Sequence, residues 1–384
     1  MNKKVYISEI SSFLPNGPVG NEEMEEVLGM VGNLPSRTRK VILRNNGIKQ
    51  RYYALDRLTG AMTHSNAQLT AEAIRALALS DSKALADLDL LCCGTSSPDQ
   101  LMPSHGSMVH GELGCPALEV TTTSGICLSG LASLKYVVMA IASGMAGKGV
   151  ATGSELASTF MHSAICAASG RERAAALEKR PQLSFEADFL RWMLSDGAGA
   201  CLVTAERPVD RLALQVDWLE MSSHAHRFEP CMYAGCVKKE DGSLQGWRSF
   251  DSLAAAVAAE AFPVKQDAKL LNREIVPFLA QGVFAPLIRK YDLRPEAINW
   301  FLPHYSSDYF RLRVADAFKA MDFALDMDRW FTNLSTKGNT GSASIYIMLE
   351  ELLHSGRLQK GETILCMVPE SGRFSCGYMH LSVV

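Results

Sequence analysis

No excess of positive charge marks this 384-residue chain: 38 Lys and Arg stand against 41 Asp and Glu, for a formal net charge of -3. Without a basic block, the electrostatic footprint of a nucleic-acid binder is missing, and no nucleic-acid partner is expected. Long apolar runs are missing too. The best stretch, Tyr136 to Ala142, soon meets Gly144 and Lys148, well short of the roughly 18 residues that would read as a membrane span. The opening MNKKVYISEISSFLPNG has two lysines but no apolar core, and Glu9 interrupts it early. It therefore does not read as a signal peptide, and a cytoplasmic protein with no membrane partner is expected. The ten cysteines are scattered through apolar runs rather than set at disulfide-framework spacings, so reduced thiols are expected, most of them small core residues. His224, His226, Cys231 and Cys236 fall close together in SSHAHRFEPCMYAGC, but their spacing matches no common zinc pattern, and strand and loop are the expected reading.

With 47% hydrophobic and 21% charged residues, the chain has the composition of an ordinary globular protein. Its pattern is strand alternating with helix, which predicts a layered α/β architecture. In the first half LADLDLLCCGTSS reads as a buried strand, His105 to Leu113 as a helix, and EVTTTSG as a strand and turn. Cys127 then opens a helix, and GKGVATGSE returns as a buried strand. Leu128, Leu131, Leu134, Val138 and Ile141 recur at three- and four-residue steps, as a packed helix requires. DGAGACLVT closes this half as a Gly-punctuated strand. The second half repeats the order: AINWFLPHYSS is strand and turn, SDYFRLRVADAFKAM is helix, and TNLSTKGNTGSASIYIMLEELLHSG is loop and helix. GETILCMVPESGRFSCGYMHLSVV supplies two closing strands. The shared order suggests an internal duplication. An Ala-, Arg- and Glu-rich excursion at about 160–191 reads as a solvated helix and loop, or as a lid or dimer element.

A cysteine in the first turn of a helix has its thiolate stabilised by unpaired amides and the helix dipole, so Cys127 is expected to have a lowered pKa and to act as a nucleophile. On composition alone a buried inert cysteine is the commoner case. Company comes from His304, directly after the apolar run WFLP, and from Asn339 in the Gly-flanked loop KGNTGSAS. Singly each reads as structural; together they form an ordered Cys, His, Asn set. Glu155, after the buried strand in GVATGSELAS, reads either as a helix cap or as a general base.

These segments resemble the thiolase-fold condensing enzymes, most closely the ketosynthase III branch (the β-ketoacyl-acyl-carrier-protein synthases III), along nearly the whole chain. SFLPNGPVGNEEM is similar to the family's N-terminal strand and first helix, and NNGIKQRYY to its Gly-Ile-Arg-Glu-Arg segment. ICLSGLASL resembles the nucleophile helix and SDGAGACLV the Gly-Asp-Gly-Ala-Gly strand; LPHYSSDYF and KGNTGSASI correspond to the His and Asn motifs. The resemblance implies a thiolase-like fold with two pseudo-repeated βαβαβ-type halves in a layered αβαβα arrangement, residues 1–205 carrying the cysteine and residues 206–384 the His and Asn. It implies that Cys127 takes an acyl group from a thioester. His304 and Asn339 then hydrogen-bond the carbonyl of the second substrate and stabilise its enolate. The implied partners are acyl thioesters on acyl carrier protein or coenzyme A, and the carrier protein itself, with a homodimeric enzyme and no cofactor. Met102 lines up with a position whose side chain crosses the dimer interface to line the partner's acyl pocket.

Some segments depart from the family pattern. A Gly-Gly-Gly-Phe turn is replaced by Glu370-Ser371-Gly372-Arg373-Phe374-Ser375, where Ser375 is the candidate contributor to the substrate site beside the backbone N–H of Cys127. No tryptophan stands near Val41 to stack an adenine, and Tyr309 replaces an arginine expected after the histidine. Arg311, Arg313 and Lys319 on one predicted helix read as a docking face for an acidic carrier protein or as a solvated face. GSELAS, PHYSSDYF and PESGRFS are similar to the ketosynthases that build dialkylresorcinol or cyclohexanedione rings. That subgroup joins a β-ketoacyl thioester to an α,β-unsaturated one and closes a ring. The alternatives are a decarboxylating starter-unit synthase and a non-catalytic condensing-enzyme paralogue.

Overall fold

The computed structural model describes residues 3–31, 35–36, 38–77, 85–162 and 189–384. Most of the excursion expected at about 160–191 lies outside the described residues.

Nine strands form one mixed sheet: β1 (Tyr6–Phe13), β2 (Leu90–Thr95), β3 (Glu119–Ser124), β4 (Lys148–Glu155), β5 (Gly197–Thr204), β6 (Leu214–Ser223), β7 (Trp300–Pro303), β8 (Thr363–Glu370) and β9 (Ser375–Val383). Their order is β7-β8-β9-β6-β1-β5-β4-β2-β3. The two halves meet at β1 and β6, through Tyr6 opposite Gln215 and Ile7 opposite Leu214. Each half pairs its strands in the same way. In the first, β2 runs parallel to β4, which is antiparallel to β5, which is antiparallel to β1. In the second, β7 runs parallel to β8, then β9 and β6 follow antiparallel. The counterpart of β3 is reduced to a single parallel bridge between Phe301 and Trp330. The duplication suggested by element order is thus present in the pairing.

Seven helices matter for the site: α1 (Asn66–Leu77), α2 (His105–Leu113), α3 (Leu128–Ser143), α4 (Ala268–Pro277), α5 (Ala285–Tyr291), α6 (Arg311–Lys319) and α7 (Ser344–His354). Strand alternation sorts the core into layers, because successive side chains point to opposite faces. On β2, Leu90 and Cys92 face α3 and α7, while Leu91 and Cys93 face α1 and α2. On β8, Ile364, Cys366 and Val368 face that same central layer, and Leu365 and Met367 face the outer helices α4 to α6. The αβαβα layering follows directly. The outer core of the second half is aromatic, with the Phe284 ring stacked 4.5 Å from Phe318 and 4.9 Å from Tyr378.

The central helix α3 is buried along Leu128, Leu131, Leu134, Val137 and Ile141. It stops at Gly144, whose φ of 83° places it in the left-handed region that ends helices without a β-carbon penalty. Tyr346 of α7 donates its hydroxyl to the carbonyl of Gly130 at 2.8 Å, fastening the two central helices together.

Candidate active site

Cys127 and Asn339 occupy equivalent places in the two halves. Each follows an outer strand position and precedes a central helix, Cys127 as the residue before α3 and Asn339 ahead of the 3-10 turn Gly341–Ala343 that leads into α7. The Asn339 main chain is held at both ends: its N–H donates to Met193 O at 3.0 Å, and its carbonyl accepts from Ser195 N at 2.8 Å. Its Oδ1 accepts the Gly341 N–H at 3.0 Å, and the residue lines the cavity. His304 is the first residue after β7, and its N–H donates to Met367 O at 2.8 Å, continuing the ladder to β8.

These three side chains and Glu155 line one cavity of about 370 Å³. Its walls are largely apolar, with Leu190, Met193, Val264, Ile275, Leu279 and Val314 among them. Such a pocket, with few convergent polar groups, suits an acyl chain that ends at a reactive centre. Burial pulls the His304 imidazole down to about 4, so it is neutral at pH 7 and presents one N–H donor. Tyr305, pushed up to about 12 by burial, and Gln266 also border the cavity. Tyr305 had a signal in its place beside His304, whereas nothing local marks Gln266.

Glu155 is buried and fully engaged. Its Oε1 accepts from Ser96 N at 3.1 Å, Ser342 N at 3.4 Å and Ser342 Oγ at 2.7 Å, and its Oε2 from the Ser96 hydroxyl and from Ser97 Oγ at 3.2 Å. Burial raises its pKa despite these donors. A carboxyl whose pKa is raised by burial is better able to take up and return a proton.

The expected acidic shift of Cys127 is not found. Burial, then the carboxylates of Glu155 and Glu370, push its thiol up rather than down. Besides burial, a contact adds to this: Glu370 Oε2 accepts the N–H groups of Ile126 and Leu128 at 2.9 and 3.3 Å, so amides that would stabilise a thiolate already have a carboxyl partner. Ser375 sits in the β9 ladder opposite Glu370 and Ser223, and its neighbour Ser371 borders the cavity.

Met102 is 79% exposed and lies outside this cavity. Arg311, Arg313 and Lys319 do not form one face. Arg311 and Arg313 diverge by about 200° around the axis of α6; Arg311 is half-buried, and the Arg313 guanidinium lies 4.2 Å over the Tyr309 ring and donates to Asn272 Oδ1 at 2.9 Å. The His224–Cys236 group is engaged in packing: His224 meets the Phe278 ring edge-on, and Cys231 lies against Gln266 and Asp267. Among the described residues, no group of three or more His, Cys, Asp or Glu is placed to hold a metal ion. No helix there is long and apolar enough to cross a membrane.

A duplicated, five-layered α/β/α/β/α chain has the thiolase-like fold, and here cysteine, histidine and asparagine converge on one cavity from both halves. Residues 288–380 match the family model 3-oxoacyl-[acyl-carrier-protein (ACP)] synthase III C terminal. A β-ketoacyl-[acyl-carrier-protein] synthase III of Chlamydia pneumoniae is 22% identical, covering 100% of this chain and 98% of that protein. Among solved structures, the tetronic acid condensing enzyme AbyA1 superposes with a TM-score of 0.76 at 20% identity, covering 99% of each chain. Xanthomonas campestris OleA with bound lauric acid and lauroyl-CoA superposes with a TM-score of 0.75 at 19% identity, covering 100% of each. Over its whole length the chain is thus similar to β-ketoacyl-[acyl-carrier-protein] synthases III and to other condensing enzymes, and it shares their fold.

Proposed function

We propose that the enzyme joins a β-ketoacyl thioester to an α,β-unsaturated acyl thioester through an acyl-Cys127 intermediate and closes a six-membered ring. The product is a cyclohexanedione, the precursor of a dialkylresorcinol. The observation that carries this reading is the meeting of Cys127, His304, Asn339 and Glu155 on one apolar cavity. In the loading step Cys127 Sγ bonds to the acyl carbon, the carbon–sulfur bond to the carrier breaks, and the thiol proton leaves on the carrier sulfur. His304 N–H and Asn339 Nδ2 then hold the carbonyl of the β-ketoacyl partner, stabilising its enolate. Its α-carbon bonds to the acyl carbon and releases Cys127. Glu155 removes a proton from the γ-carbon, that carbon adds to the β-carbon of the unsaturated unit, and Glu155 returns the proton to the α-carbon of that unit; the ring keeps the partner's carboxyl thioester, which leaves by hydrolysis and decarboxylation.

Two features support a neutral nucleophilic partner over a decarboxylating one. Glu155 places a carboxyl beside the reacting centre, and among the described residues no lysine or arginine lines the cavity to pair with a malonyl carboxylate. The apolar length of the cavity agrees with long acyl chains, and lauric acid is what the OleA neighbour holds. We assign the thioesters to acyl carrier protein or coenzyme A in the cytoplasm, with no cofactor. The halves 1–205 and 206–384 contribute the acyl acceptor and the enolate-binding pair, respectively. We assign a homodimer in which Met102 reaches the partner's acyl cavity.

The second reading, a decarboxylating synthase of the β-ketoacyl-acyl-carrier-protein synthase III type, is favoured by the full-length similarity to enzymes of that name. Mass analysis separates the two. Wild type given β-ketoacyl and enoyl thioesters is expected to yield the cyclic product. A linear β-ketoacyl product with carbon dioxide release from a malonyl thioester sinks the ring-forming reading. Cys127→Ala is expected to remain folded and to take up no acyl label.

A further inference from the structure

Glu370 ends β8 and turns its carboxylate onto the start of α3, where its Oε2 accepts the N–H groups of Ile126 and Leu128. These amides bracket Cys127. Gly125 leaves room for the approach, since a β-carbon there would lie 3.1 Å from Oε2, and Gly372 leaves room for Ile126, whose Cδ1 would lie 2.8 Å from a β-carbon there. Among the described residues the two amides are the hydrogen-bond partners of the carboxylate, and no cation pairs with it.

We propose that Glu370 is a positioning residue that occupies the helix-terminal amides beside Cys127 and restrains the nucleophilicity of that thiol. This rests on the reading of Cys127 as the acyl acceptor and adds a control over it. Two effects act with the same sign. Amides at the start of a helix stabilise a thiolate when they are unpartnered, and here a carboxylate holds them. A negative charge beside the sulfur also opposes the formation of a second one. Glu155 from β4 and Glu370 from β8 act on the Cys127 sulfur, and His304, Tyr305 and Tyr233 line the same cavity. His304 and Tyr305 are both neutral at pH 7, and burial raises the pKa of both Glu155 and Glu370, so the ionised fraction of these two carboxyls sets the field at the sulfur. A restrained thiol stays unreactive toward stray electrophiles until a bound thioester supplies the electrophilic carbon.

Peptide-resolved iodoacetamide labelling of the full chain across neutral and alkaline pH tests this independently of acyl transfer. Glu370→Gln keeps an acceptor oxygen for the two amides and removes the charge. Cys127 in this variant is expected to be labelled about tenfold faster at neutral pH, with its rate profile displaced toward acid. Glu370→Asp, which keeps the charge, is expected to stay near the wild-type profile. A residue that merely capped the helix would lower the melting temperature of the glutamine variant without moving the labelling profile, and that outcome overturns the proposal. Should the glutamine variant not fold, Glu370→Ala frees both amides and is expected to accelerate labelling further; an unchanged or slower rate overturns it equally. Loss of acyl transfer with the predicted labelling shift intact would instead count against the acyl-acceptor reading alone.

Discussion

The main-chain carbonyl of Ser342 lies so close to Gly130 that a β-carbon on the glycine would sit 2.2 Å from its oxygen, and the same holds for Gly153. The loop that carries Asn339 therefore rests directly on the helix of Cys127 and on the strand that ends at Glu155. Because the obstacle is backbone, no rotamer change relieves it. Gly130→Ala is expected to cost about 3 kcal/mol in urea unfolding. Its turnover is expected to fall about a hundredfold, since a shift of roughly 1 Å in the asparagine loop misplaces Asn339, the proposed enolate donor. A variant with unchanged stability and turnover would show that the contact tolerates a methyl group.

On the proposed ring-forming reaction, Glu155→Gln is expected to separate loading from ring closure. The amide cannot take up a proton, so ring formation is expected to fall at least about a hundredfold while intact-mass measurement still finds acyl-Cys127. Equal yields of cyclic product from variant and wild type would confine Glu155 to its hydrogen bonds with Ser96, Ser97 and Ser342.

His105, buried against Thr70 and Ser154, and His304 are both pulled down to about 4 by desolvation, from an ordinary value of 6.5. The unfolded chain binds these protons first as pH falls. Their contribution is thus complete above about pH 6.5 and declines toward pH 4, by about 2 kcal/mol per histidine at pH 5. Asp196, pushed up to about 6 by burial, acts in the opposite direction between about pH 6 and 4, so total stability does not isolate either term. The difference between His105→Gln and wild type does. The variant is expected to be less stable at pH 7 but to lose about 2 kcal/mol less between pH 7 and pH 5 in urea titrations. Parallel curves would contradict the assignment.

Val314 of α6 is buried and borders the cavity. Val314→Phe fills acyl space, so each methylene that no longer finds burial is expected to lose about 0.8 kcal/mol, or roughly fourfold in kcat/KM. A chain-length panel should shift toward shorter acyl groups. An unshifted preference would place the chain elsewhere.

Much of the fold was legible because its signals are local. The strand and turn of EVTTTSG, the helix from His105 to Leu113 and the stop at Gly144 each follow from period, capping or glycine chemistry within a few residues. Cys127, His304 and Asn339 were legible as an ordered set, since each stands where a strand or loop hands over to a helix. The docking face imagined for Arg311, Arg313 and Lys319 was not borne out as one surface, because helix phase and the stacking of Arg313 on Tyr309 act against it. Gln266 left no trace in local sequence; it reaches the cavity because a two-residue strand pair sets Gln266 opposite Met232.

The sequence by itself determined the alternation of elements, the repeated order of the two halves and the residue types able to carry an acyl group and stabilise an enolate. Those are consequences of side-chain periodicity and of chemistry written one residue at a time. Tertiary structure alone decided the state of Cys127. Helix position predicts an activated thiol, but Glu370, 243 positions later in the chain than Cys127, takes the amides on which that activation depends. Electrostatic fields depend on distance through space rather than separation along the chain, and only folding brings that carboxylate to the nucleophile.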